Sequence, residues 1–175
     1  MKKVMYTVAL VVFYFSSTSF SSPLKDKINW ITFDELSTLY AKQPKPVLID
    51  LYTSWCGWCK EMDRTTYRNE KLAGYINEHY YAVKYDAESK APVIFNNKKY
   101  SYNSQYRAND LAIMLTGGRL EYPTTVFLPV IDAQPAPLAG YMKAKEMEAP
   151  LRYFAEGAYT KKTFIQFNQS LKKSW

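Results

Sequence analysis

The chain predicts an α/β fold built on a central β-sheet of mixed direction. Helical and strand patterns alternate through its first half. Later, "TTVFLP" and "PAPLAGY" bracket the turn "VIDAQ", as an antiparallel strand pair does, and two helical segments close the chain. Alternation implies parallel strands crossed by helices, and the late pair adds antiparallel strands to the same sheet.

The first two dozen residues stand apart from that pattern. Lys2 and Lys3 precede an uncharged apolar run, Val4 to Phe15, and a small-residue stretch, Ser16 to Ser22, broken only by Phe20. This is the layout of a secretory signal peptide, and the run is short for a membrane-spanning helix. Cleavage is expected after Ser21, giving a signal over residues 1–21 and one domain over 22–175. An uncleaved membrane anchor is the alternative. Both readings export the domain to the periplasm or the exterior. No cysteine follows the run, which argues against a lipoprotein anchor.

Beyond the leader, each element has a local cause. Thr32 followed by Glu35 is a capping-box pattern that opens a helix to about Lys42, with Phe33, Leu36 and Leu39 inward and Pro44 and Pro46 as stops. "VLIDLYT", 47–53, is nearly continuously apolar and β-branched in part, as a buried central strand is. A helix follows from Gly57 to about Thr66, and Asn69 caps another to about Glu78. "YYAVKYDAE", 80–88, alternates as a strand. Residues 89–108 break the pattern with Pro92, "VIF", "NNKK" and the tyrosines Tyr100, Tyr102 and Tyr106, and read as an inserted hairpin. Such an excursion either recognises a partner or covers an edge strand. Asn109 caps "DLAIMLT", which Gly117 and Gly118 end. The closing helices are expected over roughly 143–156 and 160–173.

The formal net charge is +7. No basic run is interleaved with aromatics, so no nucleic-acid partner is expected. The chain contains two cysteines, and both lie in "TSWCGWCKEM", 53–62. As a staple, a Cys-x-x-Cys disulfide closes too small a loop to remove much unfolded-state entropy. Structural zinc needs four ligands, and this chain adds only one histidine, His79, to the two thiols. Copper(I) held by the cysteines and the thioether of Met62 is the stronger metal reading. Redox exchange fits the local geometry best. A buried strand leading into a helix puts Cys56 over unpaired N–H groups and the positive end of the helix dipole, which favour the nucleophilic thiolate. Cys59, one turn on, is expected to be the more shielded, resolving sulfur.

"VLIDLYTSWCGWCK" resembles the active-site segment of the thioredoxin superfamily. Asp50 stands six residues before the first cysteine, Trp55 immediately precedes it, and Lys60 follows Cys59. "EYPTTVFL" resembles the family's cis-proline segment, with Pro123 in that place, and "AVKYDAE" the strand whose lysine, Lys84, lies near the buried acid. The resemblance covers roughly residues 30–142 and points to exported thioredoxin-like proteins. It implies a thioredoxin-like fold with an insert before the cis-proline segment and an extra C-terminal helix. It implies a thiol–disulfide oxidoreductase with no cofactor beyond a redox-active Cys56–Cys59 disulfide. In that reading Cys56 attacks, Cys59 resolves and Asp50 handles the proton. Trp55, Gly57, Trp58, Tyr122 and Pro123 line the substrate groove, and Lys60 and Lys84 support the site.

The expected partners are disulfide-containing exported proteins and, for a reductant, a membrane electron donor. Trp58 stands where strong oxidants often carry a histidine, which tilts the expectation towards a reductant or isomerase. A non-catalytic binding or chaperone module on the same fold, or a copper(I) carrier, are the alternatives from other classes.

Overall fold

A computed structural model describes residues 27–175. The expected leader therefore lies outside the described residues. Among the described residues, no helix is long and apolar enough to cross a membrane.

The α/β architecture is as expected. Strands β1 (Trp30–Ile31), β2 (Val47–Tyr52), β3 (Tyr81–Asp86), β8 (Thr124–Leu128) and β9 (Ala136–Ala139) form one sheet in the order β1-β3-β2-β8-β9. The first three are parallel, while β8 runs antiparallel to β2 and β9 antiparallel to β8. The sheet is thus mixed. At two residues, β1 is too short to show a periodicity, and the sequence reading does not contain it.

Alternation along the central strand builds two cores. Val47, Ile49 and Leu51 face one side, where they pack with helices α1 (Phe33–Lys42) and α4 (Asp110–Thr116) through Phe33, Leu36, Leu111 and Leu115. Leu48 faces the other, among Met62 of α2 (Gly57–Arg64), Leu72 and Ile76 of α3 (Glu70–His79), and Met147 and Leu151 of α5 (Ala144–Ala155). The period of two along a strand puts Asp50 on the same face as Leu48. That is the face α2 covers.

The caps explain most helix ends. The Thr32 hydroxyl accepts the Glu35 N–H at 3.2 Å, and the Glu35 carboxylate accepts the Thr32 N–H at 2.8 Å. Gly117, at φ 61°, ends α4 in the left-handed conformation that suits glycine. The expectation of a helix to Thr66 overshoots, because α2 ends at Arg64. The Thr66 hydroxyl donates instead to the Met142 carbonyl at 2.6 Å, tying this corner to the loop after β9. Similarly, the last helix, α6 (Phe164–Ser170), is shorter than the expected 160–173. Thr163 caps it at the front, and beyond it the backbone N–H groups of Ser174 and Trp175 donate to the buried Glu148 carboxylate.

The insert contains two hairpins where one is expected. β4 (Val93–Phe95) pairs with β5 (Lys98–Tyr100) around Asn96 and Asn97, both at positive φ. β6 (Tyr102–Asn103) pairs with β7 (Ala108–Asn109). Phe95 and Tyr100 join the first core, so the insert covers that face, while Ile94 and Tyr106 stay exposed.

Candidate redox site

Strand β2 ends at Tyr52, and the turn that follows delivers Cys56 to the N-cap of α2. Its Sγ accepts the Cys59 N–H at 3.1 Å. Cys56 and Cys59 are joined as a disulfide with their Cα atoms 5.3 Å apart. The helix begins here because Cys56 has extended backbone geometry and its sulfur acts as the capping acceptor. A sulfur so placed faces the free N–H groups and positive dipole end of the first turn.

The expected difference in exposure between the two sulfurs is absent from the disulfide form. Both cysteines are 4% exposed. What stands out in solvent is the pair of tryptophans beside them, Trp55 at 65% and Trp58 at 63%. The asymmetry lies in position along the helix, with Cys56 at its mouth and Cys59 a turn inside.

Beneath the disulfide-bearing helix, a row of polar side chains crosses the sheet. Asp50 is in register with Lys84 on β3 and with Thr125 on β8, so the three are neighbours on adjacent strands. Lys84 Nζ donates to Asp50 Oδ2 at 2.9 Å and also bonds Asp63 of α2. Rings of Tyr52, Trp30 and Tyr67 surround the ammonium at 5.0 to 5.6 Å. Lys84 is therefore a partly buried bridge, not a solvated strand lysine.

Burial pushes the Asp50 carboxyl above its ordinary range, and the Lys84 charge offsets this only in part. Its second oxygen, Oδ1, has no hydrogen-bond partner among the described residues. For Lys84, burial works against the charge, but Asp50 and Asp63 outweigh it and raise the ammonium. Tyr67 is pushed well above its usual range by burial and by Asp50, so it stays neutral.

The cis-proline expectation holds: Tyr122–Pro123 is a cis bond. Gly140 N–H donates to the Pro123 carbonyl at 2.7 Å, fastening this loop to the end of β9. Trp55 meets the Tyr122 ring edge-on at 6.1 Å and donates its Nε1–H to the Glu88 carboxylate at 3.1 Å. Burial, then Glu88 and Asp86, pushes the Tyr122 phenol up to about 12, so it serves as a neutral wall. Trp58 packs against Tyr141 at 5.5 Å, and Gly57 lies beside it at the surface.

Not every expected residue joins this assembly. Lys60 is exposed, and its side chain makes no hydrogen bond or ion pair among the described residues. His79 stacks on Tyr75 at the far end of α3, and Met62 is fully buried in the second core. No group of three or more His, Cys, Asp or Glu able to hold a metal occurs among the described residues.

Participants missing from the sequence reading include Asp63, Tyr67, Glu88 and Tyr141. Asp63 had a signal, since it lies four residues after Cys59 on one helix face. The other three come from segments whose approach no local pattern encodes.

Comparison with known proteins agrees with the geometry. The chain is 36% identical over 84 residues to "Thioredoxin Y1, chloroplastic" of Arabidopsis thaliana, a stretch covering 48% of this chain and 46% of that protein. It is 35% identical over 43 residues to "Thiol:disulfide interchange protein DsbD" of Pectobacterium atrosepticum, covering 25% of this chain and 8% of that one. The chain thus spans less than half the length of either relative. A solved structure of a putative disulphide-isomerase from Bacteroides thetaiotaomicron superposes with a TM-score of 0.53 at 22% identity, over 75% of this chain and 95% of that one, which shows the shared fold. A family model, "Thioredox_DsbH: Protein of unknown function, DUF255", matches residues 15–154, and with its Cys-Gly-Trp-Cys disulfide on a thioredoxin fold the chain belongs to that family.

Proposed function

We propose that this protein is a thiol–disulfide oxidoreductase that acts on protein disulfides outside the cytoplasm, as a reductant or isomerase. The observation that carries the reading is the Cys56 sulfur at the N-cap of α2, bonded to the Cys59 N–H, on the same helix whose Asp63 shares Lys84 with the buried Asp50 of the strand that leads into it. A staple would have no use for a buried carboxyl with an unpartnered oxygen on the face of the sheet that its helix covers.

In the reductive direction both cysteines start reduced, Cys56 as the thiolate that the helix N-terminus favours and Cys59 as the thiol. The Cys56 thiolate attacks one sulfur of a substrate disulfide, forming a mixed disulfide and releasing the other sulfur as a thiolate. Cys59 then loses its proton to Asp50, by way of a water, and attacks Cys56 Sγ. The Cys56–Cys59 bond forms, the mixed disulfide breaks, and the substrate leaves fully reduced. Two electrons have passed from the protein to the substrate.

Restoring the dithiol takes an external dithiol donor, and outside the cytoplasm a membrane partner is the fitting source. The likeness of one stretch to a thiol:disulfide interchange protein supports such a relay. Export itself rests on the leader pattern of residues 1–21.

The deciding measurement is the reduction potential of the Cys56–Cys59 pair, by equilibration against dithiothreitol or glutathione mixtures. A value towards about −270 mV supports the reductant, and one towards about −120 mV makes the protein an oxidant and refutes the assigned direction. Mass analysis of the mature protein from the exported fraction tests the leader: loss of residues 1–21 is expected.

A further inference from the structure

The two aromatic pairs beside the disulfide are anchored differently, and one of them borders a cavity. On one side Trp55 and Tyr122 are in edge-on contact, with Trp55 tied to Glu88. On the other, Trp58 and Tyr141 border an open cavity of about 730 Å³, with Gly57, Glu61 and Lys143 completing its lining. The Tyr141 hydroxyl lies 3.1 Å from the Thr65 hydroxyl, which itself donates to the Glu61 carbonyl. The Met142 carbonyl beside it accepts from Thr66. The ring is therefore fixed to the end of α2 before any partner arrives.

This wall is continuous with the rest of the groove. Gly140 precedes Tyr141 and bonds the Pro123 carbonyl, and its φ of 101° is a conformation only glycine adopts readily. Neither the N–H nor the carbonyl of Tyr122 has a hydrogen-bond partner among the described residues. An extended chain can pair with that backbone while its side chains reach either aromatic wall. The cavity offers ring faces, the backbone of Gly57 and, at its exposed edge, the Lys143 side chain. The Glu61 carboxylate is already engaged, 2.8 Å from Arg64 Nη2.

We propose that Trp58 and Tyr141 form a specificity subsite that takes a large apolar side chain next to the attacked cysteine of an extended polypeptide disulfide. The inference rests on the redox reading above and names its substrate class. Its chemistry is the same exchange, with Cys56 and Cys59 supplying both electrons. Trp58 and Tyr141 touch the substrate but not the reacting sulfurs, so they act on substrate choice.

The test compares two disulfide-linked peptide dimers that differ only at the residue beside cysteine, phenylalanine in one and serine in the other. The full chain is reduced, freed of reductant, and mixed with each in single turnover, and the second-order rate constants are measured. The phenylalanine dimer is expected to react about tenfold faster, the scale at which apolar pockets discriminate. Tyr141→Ala should cut that ratio below about threefold, whereas Tyr141→Phe should keep it. Trp58→Ala removes the other, solvent-exposed ring of the pair, and should lower the ratio independently of how Tyr141→Ala folds. Equal rates for the two dimers on the unaltered protein, or a ratio unmoved in both alanine variants, overturn the subsite alone. No reaction with either dimer overturns the redox reading and the subsite with it.

Discussion

Two buried carboxylates, Asp50 under the redox helix and Glu148 on α5, respond to burial in opposite ways. Each is almost wholly removed from solvent. Burial raises both, yet Asp50 ends above its ordinary range and Glu148 below it. Two things differ: Asp50 lies deeper, on the central strand, and Glu148 has more donors. Glu148 accepts from the Ser174 N–H and hydroxyl, the Trp175 N–H and Arg152 Nε, all within 3.2 Å. Asp50 has the single ammonium of Lys84, which it shares with Asp63, and one oxygen without a partner. Several hydrogen bonds to the charged form outweigh desolvation at Glu148, where one shared donor does not at Asp50. One carboxyl is thereby left able to exchange a proton, and the other is an anchor for the C-terminal segment that is ionised at neutral pH.

The sharpest way to separate the two is to neutralise each in turn. Asp50→Asn is expected to slow the release of the mixed disulfide by about 10²-fold in stopped-flow single turnover, the scale of lost general-base catalysis. Its fold should be at least as stable at neutral pH. A carboxyl raised in the folded state costs stability as pH climbs from its unfolded value towards the folded one, and the amide removes that cost. An unchanged release rate would take Asp50 out of the mechanism.

Glu148→Gln should do the reverse. Urea unfolding at neutral pH is expected to show a loss of about 1.5–3 kcal/mol, the range for hydrogen bonds to a charged group, with single-turnover rates unaltered. Because Glu148 is lowered in the fold, its contribution is present above its unfolded value near 4.5 and fades as pH falls through the folded one. Wild type and variant should therefore converge in stability in acid. A gap that persists at low pH would mean the anchor is packing, not charge.

A smaller effect is expected from Lys84→Met. Without the Lys84 cation Asp50 should rise further, so the acid limb of the rate profile moves to higher pH. A profile that stays in place would show that Lys84 does not tune Asp50. Smallest is Asp63→Asn. This change removes a negative neighbour and leaves Lys84 to Asp50 alone, so the same limb should move slightly the other way. A shift to higher pH would mean that Asp63 chiefly holds Lys84 in position.

Much of this was legible from local pattern. The capping pairs at Thr32, Asn69 and Asn109 opened helices where expected, since a cap is a contact between residues three or fewer positions apart. The apolar run 47–53 became the central strand because both its faces are covered. The Cys56–Cys59 spacing fell on one helical turn. The single hairpin expected over 89–108 became two, since the short β6–β7 pairing carries too few residues to show alternation.

By itself, the sequence determined the α/β class, the order of its main elements and the identity of the sulfur pair, all of which depend on neighbours along the chain. Only the tertiary structure decided that Lys84 is shared between Asp50 and Asp63, that Tyr141 faces Trp58, and that Glu148 holds the C-terminal segment. Those contacts join residues from 21 to 83 positions apart. Their energetics depend on how much water the fold removes and how many donors it brings together, quantities that exist only once the two faces of the sheet have been covered.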